Sequence, residues 1–328
     1  MKKIVYMLYD EGIQKPIVGM ARELENVSCF SDFRSPFAKK LFEWHNAWPL
    51  NKKRELPFKF LWFGRILKDL DIGEDDEIWF LMYESFHFSY SKAFLTMLRK
   101  KFGKARLCFK FSNPVGESNL SKFETVRPYY DAAITFSRKD AEQYGFLHWP
   151  LQPMKIPEHE VREEYRSDVF FVGKDKGRLD VLLGCYEKFT QLGLKCDFHI
   201  VEVPPEKQKY ADRISYNQRI PYSEVLEREA STRCVLEILQ NSEEYMSMRA
   251  TEAFSYGRKL ITTSNAYRDY PFYDPGYIWI LDDIDAFDGQ FVLDESHRPG
   301  NFQANAFEEF RNFLMKISRK EDPAGRPA

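Results

Sequence analysis

The stretch LQNSEEYMSMRATEAFSYGRKLITTSNAYRDY, residues 239–270, connects two apolar strands through a charged helix. An apolar run ends at Leu239, a helix-like run extends to Gly257, and KLITT (259–263) is apolar again. A strand, a helix and a second strand in this order predict a βαβ unit with parallel strands. We therefore expect Glu244 in the loop after the first strand and Glu252 in the first turns of the helix.

The same alternation extends along the chain. Apolar strands are predicted at 3–9, 77–83, 105–111, 130–136, 167–173, 196–203, 233–240, 259–263 and 277–283, with helix-like segments between most of them. This pattern predicts parallel sheets with helices on both faces. It stops at WPLQPMKIPEHEVREEYR (149–166), where three prolines and a charged run indicate a linker.

The predicted fold class is therefore α/β, with two doubly wound Rossmann-like domains. They are expected at residues 1–150 and 151–304, and a terminal helix and tail follow at 305–328. Doubly wound sheets bind ligands outside the carboxyl ends of their strands. We expect those ends to face each other, so that the site is a cleft between the domains.

Composition excludes several classes of function. The net charge of −2 provides no global field for nucleic acid, and no apolar run is long enough to span a membrane. The basic start MKKIVYM is predicted to be a strand rather than a signal peptide. Five scattered cysteines without CxxC spacing predict core thiols in a reducing cytoplasm. Nicotinamide, P-loop and serine-hydrolase motifs are missing from the sequence, as are clustered metal ligands.

The region 30–66 interrupts the alternation and is rich in Lys, Arg, Phe and Trp. One interpretation is an insertion that packs its aromatic rings on the first domain and turns its lysines outward. Another is a basic and aromatic surface that contacts an anionic lipid or a lipid-linked acceptor at the membrane face. Nucleic acid is not expected as a partner, because no RNA-binding motif accompanies these residues.

A cation-rich turn follows the first strand of the second half. In FFVGKDKGR (170–178), a strand brings Gly173 to its end, and Lys174, Lys176 and Arg178 precede a helix. Helix N-termini favour anions, so this turn predicts a cradle for a diphosphate. A solvated turn with surface lysines is the alternative interpretation.

The opening stretch supports a related hypothesis. A carboxylate such as Glu252 suits the two hydroxyls of a ribose, because it can accept two hydrogen bonds side by side. Arg249, near the same helix start, would neutralise a departing diphosphate. The alternative is a charged helix start on the surface, where Glu interacts with the helix dipole.

These segments resemble a known family. FFVGKDKGR, ISYNQRIPYSEVLEREAS, and RATEAF with the following GRKLITTSN resemble the nucleotide-binding domain of glycosyltransferases with the GT-B fold. Bacterial transferases of polysaccharide and lipopolysaccharide assembly are the most similar type. YYDAAITFSRKDAEQYG (129–145) resembles the end of the first domain in such proteins, and the helix at 305–320 fits their last helix, which crosses back to the first domain.

The resemblance implies a donor site for a nucleoside diphosphate sugar, with no metal or other cofactor. Glu252 would hold the ribose, and Gly173, Lys174, Arg178 and Arg249 would contact the diphosphate. The base would lie beside Arg219, Ile220 and Tyr222. Glu244 and Glu252 have seven residues between them, the spacing of many retaining enzymes, but the SEEYMS context of Glu244 departs from the glycine-rich one usual in the family.

The first domain would then bind the acceptor and supply a general base. Asp10 and Glu11 follow the first predicted strand, Gly12 would let an acceptor approach, and Glu84 and His87 follow EIWFLMY. Glu84 and His87 are the preferred pair. The resulting hypothesis is a cytoplasmic glycosyltransferase that acts on a bacterial surface glycan or a lipid-linked acceptor. A nucleotide-sugar epimerase or hydrolase of the same fold and a non-catalytic scaffold are the alternatives.

Overall fold

The computed structural model describes residues 2–10, 14–30, 33, 35–150, 160–240, 245–270, 272–296 and 306–317. The chain forms two compact units. The first combines Met1–Trp149 with Asn305–Ala328, and the second is Pro150–Ala304. Residues 151–159 of the predicted linker lie outside the described residues.

The first domain is built on a parallel sheet of six strands. They are β1 (Lys2–Met7), β2 (Val27–Cys29), β3 (Glu77–Tyr83), β4 (Arg106–Lys110), β5 (Ala132–Thr135) and β6 (Leu147–His148). Their order in the sheet is β2-β1-β3-β4-β5-β6. The chain therefore moves outward in opposite directions on either side of the β1–β3 pair, which makes this pair the topological switch point.

The described residues up to Trp149 form seven α-helices. They are α1 (Lys15–Arg22), α2 (Pro36–Asn46), α3 (Trp48–Asn51), α4 (Phe60–Leu67), α5 (Lys92–Lys101), α6 (Glu117–Glu124) and α7 (Arg138–Tyr144). Several begin with a side-chain cap, such as Ser91 before α5 and Ser137 before α7. One face of the sheet packs into a core rich in phenylalanine, to which α2 contributes Phe42 and α4 contributes Ile66.

The second domain also has a parallel sheet of six strands. They are β7 (Ser167–Lys174), β8 (Cys196–Val201), β9 (Ser215–Tyr216), β10 (Thr232–Glu237), β11 (Lys259–Thr262) and β12 (Ile278–Ile280). The sheet order is β12-β11-β10-β7-β8-β9, so the β7–β10 pair is the switch point. Its helices are α8 (Leu179–Gln191), α9 (Tyr222–Ser231), α10 (Met248–Ser255) and α11 (Gln290–Leu293).

The last described helix, α12 (Ala306–Ile317), packs on the sheet of the first domain. Phe310 and Leu314 are buried there in a cluster with residues of β1 and β3, on the sheet face opposite the phenylalanine-rich core. The Trp149 ring lies 5.3 Å from the Phe310 ring and 4.7 Å from the Phe313 ring. Lys110 of β4 lies under this helix, with Nζ 5.3 Å from the Phe310 ring centre.

The predicted fold class, α/β with two doubly wound Rossmann-like domains, is confirmed by the two strand orders. All nine predicted strands form, and β3 has the predicted bounds. The structure adds three short strands, β2, β6 and β9, that the sequence interpretation did not include. Residues 36–67 form three helices. The predicted packing of their aromatic rings on the core of the first domain occurs only on the inner faces of these helices.

Candidate functional site

The switch point of the second sheet brings two loops together. The loop after β7 leads to α8, and the loop after β10 leads to α10. Gln240 Nε2 donates to the Lys176 carbonyl oxygen at 3.2 Å, which joins the two loops directly. Ligands of doubly wound folds bind at such a crevice, so this edge is the candidate binding site of the second domain.

Arg178 bridges the ends of β7 and β10. Its Nε and Nη2 donate to the Lys174 carbonyl at 3.2 and 3.0 Å, and Nη1 donates to the Ile238 carbonyl. The guanidinium also stacks over Phe171, 5.4 Å from the ring centre. These bonds use three of the five N–H groups of the arginine, so the side chain retains the capacity to bind an anion. Burial lowers the pKa of Arg178, and the charge of Arg249 contributes to this shift.

Gly173 makes this position of Arg178 accessible. A Cβ atom at residue 173 would lie 2.8 Å from Arg178 Nη2 and 3.2 Å from Cζ of Phe171. The first distance is shorter than real Cβ contacts allow, so a side chain here would force the guanidinium to move. Glycine at position 173 therefore allows the Arg178 side chain to lie close to the backbone of β7.

The N-terminus of α8 differs from the predicted phosphate cradle. Asp175 Oδ1 accepts hydrogen bonds from the backbone N–H groups of Arg178 at 3.1 Å and Leu179 at 2.9 Å. The aspartate thus satisfies two amides that would otherwise face an anion. An anion at this edge would be bound mainly by side chains.

The other predicted cations form a second group beside β8. Lys174 Nζ lies 2.6 Å from Glu202 Oε1. The hydrogen bond from Lys174 is the main cause of a lowered pKa of Glu202, and the charges of Arg219 and Lys176 act in the same direction. Glu202 has a φ of +66°, a left-handed conformation that is uncommon for this residue type. The ammonium group of Lys174 is therefore paired with Glu202, and Arg178 contacts Lys174 only through its backbone carbonyl.

The start of α10 is tied to the sheet by Glu237, a buried acid at the end of β10. Its carboxylate accepts from the Ser247 amide at 3.3 Å, from the Thr262 hydroxyl at 2.5 Å and from the Tyr267 hydroxyl at 3.0 Å. Burial raises the pKa of Glu237, although these donors oppose the shift. Ser247 also caps α10 by accepting from the Ala250 amide. The first turn of α10 is therefore held in a fixed position.

Four side chains form a polar cluster between α9 and α10. Glu252 accepts from the Tyr222 hydroxyl at 2.5 Å and from Arg249 Nη1 at 2.9 Å, and Arg249 also binds Glu229. Glu252 is 1% exposed and Glu229 is fully buried. The predicted neighbours Tyr222, Arg249 and Glu252 are thus brought into direct contact. Ile220, half-buried, lies two residues before the start of α9 at Tyr222.

Protonation decides the charge of this cluster. Burial raises the pKa of Glu229 well above its usual value; Arg249 opposes this shift and Glu252 adds to it. Glu229 Oε2 has no hydrogen-bond partner within the described part of the chain, so this oxygen gains nothing from carrying a negative charge. Burial disfavours the charged form of Arg249, but Glu229 and Glu252 outweigh it and raise the pKa of the guanidinium. A neutral Glu229 leaves a balanced pair of Arg249 and the Glu252 carboxylate.

The first domain has a polar cluster at its own switch point. The Tyr9 hydroxyl lies 2.6 Å from His87 Nδ1. Gln14 connects the two strand ends, because its Oε1 accepts from the Tyr9 amide at 3.0 Å and its Nε2 donates to Ser85 Oγ at 2.5 Å. Burial lowers the pKa of His87, and the charge of Lys59 lowers it further. His87 is therefore a neutral imidazole near pH 7.

The other predicted acids of the first domain are bound to neighbouring structure. Glu84 Oε2 accepts from the backbone amides of Ser112 at 2.9 Å and Asn113 at 3.1 Å, so it holds the loop after β4. Asp10 forms an ion pair with Arg22 at 2.9 Å. Glu11, Gly12 and Glu244 lie outside the described residues.

Several residues of these sites were not predicted from the sequence. They are Tyr9, Gln14, Glu202, Glu229 and Glu237. Two carried a signal: Glu237 is an acid within the apolar strand RCVLEILQ, and Glu229 follows Val225 and Leu226 on the apolar face of its helix. A buried acid in such a place needs a partner and so indicates a polar site. Tyr9 and Gln14 carried no comparable signal.

Two further findings concern the described ranges as a whole. No group of three or more His, Cys, Asp or Glu side chains there has an arrangement that could hold a metal ion. The helices in the same ranges are all too short or too polar to cross a bilayer.

Comparison with known proteins gave no family model and no curated sequence that matches the chain. Similar solved structures include the Glycosylation Associate Protein (Gap123) complex from Streptococcus agalactiae, at 12% identity and a TM-score of 0.45. That match covers 76% of this chain and 54% of the other, so the chain spans about half of its length.

Two further structures match over nearly the whole chain. A UDP-forming alpha,alpha-trehalose-phosphate synthase from Burkholderia vietnamiensis has 13% identity, 97% coverage of both chains and a TM-score of 0.45. The S. aureus MnaA–UDP co-structure has 9% identity, coverage of 99% and 100%, and a TM-score of 0.48. Because all three TM-scores are below 0.5, the fold assignment rests on the strand orders of the two sheets.

Proposed function

We propose that this chain is a metal-independent glycosyltransferase of the GT-B type. It would act in the cytoplasm and transfer a hexose from a nucleoside diphosphate sugar to a bacterial surface glycan or a lipid-linked acceptor. The observation that carries the proposal is Arg178, a guanidinium held at the β7–β10 switch point by Gly173 and by main-chain carbonyls, with N–H groups left for an anion.

The diphosphate of the donor would bind to Arg178. A planar guanidinium matches the geometry of phosphate oxygens, and its charge stabilises the diphosphate that leaves when the sugar is transferred. Lys174 could join only by exchanging its ion pair with Glu202 for a phosphate oxygen. Lys176 and Arg219 lie close enough to Glu202 to shift its pKa, so the same neighbourhood attracts the donor electrostatically.

The ribose would bind to Glu252. Its carboxylate lies beside α9 with Tyr222 on one oxygen and Arg249 on the other. A ribose hydroxyl would replace the Tyr222 hydroxyl as the donor to Oε1, while Arg249 keeps the second oxygen in place. Movement of Tyr222 would then open the space beside Arg219 and Ile220 for the base. A catalytic role of Glu244 rests on the sequence pattern alone.

The first domain would supply the general base for the acceptor hydroxyl. His87 suits this role because its lowered pKa keeps the ring neutral and able to accept a proton. For Nε2 to accept that proton, Nδ1 must carry the hydrogen and donate to the Tyr9 oxygen. Glu84 and Asp10 would support neighbouring loops, because both carboxylates already bind within the domain.

Calorimetric titration of the full chain with UDP, GDP, CDP and dTDP tests the donor site. We expect one of them to bind well below millimolar concentration and to bind Arg178→Ala more weakly by roughly 10- to 150-fold, the effect of a charge-assisted hydrogen bond. Absence of binding by all four at millimolar concentration would contradict the proposal. Product analysis with donor alone separates transfer from the alternative chemistry, because an epimerase or hydrolase would convert the donor without an acceptor.

A further inference from the structure

The exposed apolar side chains of this protein are concentrated in one region. Of the twelve large apolar residues that are exposed in the described ranges, seven lie between residues 37 and 61. The four Phe and Trp residues among the twelve are all in this region, and their exposure ranges from 61 to 76%. The seven residues are Phe37, Leu41, Trp44, Leu50, Phe58, Phe60 and Leu61.

Helix α2 shows that this exposure follows a regular pattern. Phe37, Leu41 and Trp44 stand at i, i+4 and i+7, so they share one face of the helix and point away from the core. The opposite face carries Ala38 and Phe42, which pack into the core of the first domain. The helix is therefore apolar on two faces, and only one of them is covered by its own domain.

The region is firmly attached to the domain. Lys59 is buried, and its Nζ donates to the His45 carbonyl at 2.9 Å and to Asn46 Oδ1 at 2.5 Å. Trp62 Nε1 donates to His45 Nδ1 at 2.8 Å, which joins α4 to α2. Glu55 accepts from Ser91 and from amides at the start of α5. The outward rings are thus presented by a fixed scaffold.

Charge distinguishes the region from the rest of the chain. Residues 36–68 contain eight Lys or Arg and two Glu, a net charge of +6, whereas the whole chain has −2. Six of these cations are exposed and form no ion pair with any described residue. They are Lys40, Lys52, Lys53, Arg54, Arg65 and Lys68. We refer to the seven apolar residues and these six cations as the aromatic–basic surface.

We propose that the aromatic–basic surface docks on an anionic lipid bilayer. Rings of Phe and Trp partition into the boundary between headgroups and acyl chains, and exposed Lys and Arg bind anionic headgroups. The exposed cations lie in the same segment as the exposed apolar residues: Lys40 is on α2, Arg65 is on α4, and Lys52, Lys53 and Arg54 follow α3. This segment therefore supplies both kinds of side chain that a membrane surface binds. The inference goes beyond the proposed transfer reaction and does not depend on it, because nucleotide binding by the second domain does not enter the test.

Vesicle flotation of the full chain provides that test. We expect binding to vesicles of equal parts phosphatidylglycerol and phosphatidylcholine, weak binding to phosphatidylcholine alone, and loss of binding as salt is raised. The variant F37S/W44S/F60S should bind at least about 100-fold more weakly, because three rings no longer leave water. The matched control V181S/L192S/L293S removes exposed apolar side chains of the second domain and should bind like the wild type.

Charge reversal tests the electrostatic part separately. K52E/K53E should weaken binding by at least roughly 30-fold, at about fivefold per cation, while the exposed control pair K207E/K209E should not. Both variants alter exposed side chains, so circular dichroism should match the wild type. Failure of the wild type to float with anionic vesicles would overturn the proposal, as would equal loss of binding in the control variants. Self-association through this surface without vesicle binding, detected by analytical ultracentrifugation, would assign it to a protein partner instead.

Discussion

Replacing Gly173 with alanine tests the geometry on which the donor site depends. The new Cβ atom would lie 2.8 Å from Arg178 Nη2, and 3.2 Å from the ring of Phe171, which is 3% exposed. The buried ring has little room to move, whereas the end of the arginine is flexible. We therefore expect the guanidinium to shift and the backbone to remain in place.

The size of the effect follows from what Arg178 loses. Each hydrogen bond from a charged donor is worth about 1.5–3 kcal/mol, and the contact with Phe171 about 0.5–1 kcal/mol. Because the displaced side chain can bind water, we expect a net loss of about 1–2 kcal/mol in the free energy of unfolding. Affinity for a nucleoside diphosphate should fall by about 10- to 150-fold, since one charge-assisted contact to phosphate is lost.

Urea denaturation and calorimetric titration measure the two quantities on the same variants. Arg178→Ala should reproduce the loss of affinity. Gly184→Ala is the matched control, because a Cβ there meets nothing within 4 Å. In the interior of α8 this alanine should stabilise the protein by about 0.5–1 kcal/mol and leave affinity unchanged. If Gly173→Ala and Arg178→Ala both bind nucleotide like the wild type, the switch point of this sheet is not the donor site.

Three further outcomes are expected. The wild type should bind a ribonucleoside diphosphate about 10-fold or more tighter than its 2′-deoxy analogue, and Glu252→Gln should reduce this ratio of affinities. If Glu252→Gln leaves the ratio unchanged, Glu252 does not bind the ribose. Burial lowers the pKa of Lys110 to about 8 from 10.5, so its cost to folding is complete below pH 8 and disappears as the pH approaches 10.5. The free energy of unfolding of Lys110→Met should therefore exceed that of the wild type by up to about 3 kcal/mol more at pH 7 than at pH 10.5. If the two free energies change in parallel with pH, Lys110 is not desolvated. Glu55→Gln should destabilise the protein by about 1 kcal/mol, because it weakens the hydrogen bonds at the start of α5. The control Glu43→Gln changes a residue of α2 away from that helix start and should destabilise the protein less. Equal losses in the two variants would contradict the capping role of Glu55.

The sequence predicts long buried strands better than short edge strands. EIWFLMY is apolar throughout because β3 has a neighbour on both sides and helices above and below it. β2 has three residues and lies at the sheet edge, separated from α1 by four residues, and the helical apolar pattern of the sequence continues to Val27. β6 and β9 have two residues each and also form edges. Such strands exist because a neighbouring strand binds them, which leaves little local signal.

The site was predictable where partners are close in sequence. Arg249 and Glu252 are three residues apart on one helix, and the sequence placed them together. The contact of Tyr222 with Glu252 spans 30 residues and depends on how α9 packs against α10. The pairing of Lys174 with Glu202 depends on the register of β7 and β8 and on a left-handed residue after β8. Neither tertiary arrangement leaves a pattern in the local sequence. The sequence therefore predicted that Lys174 and Arg178 act together, whereas in the structure the ammonium group of Lys174 pairs with Glu202.

The position of α12 has a consequence for synthesis on the ribosome. Phe310 and Leu314 complete the core beside β1 and β3, yet they are translated after the entire second domain. Nascent domains ordinarily fold in the order in which they emerge. Here the second domain has all its strands while the cluster beside β1 and β3 still lacks Phe310 and Leu314, although Val18 and Ala21 of α1 already pack there. During that interval we expect this apolar cluster to remain partly open to water, a surface that a chaperone would recognise.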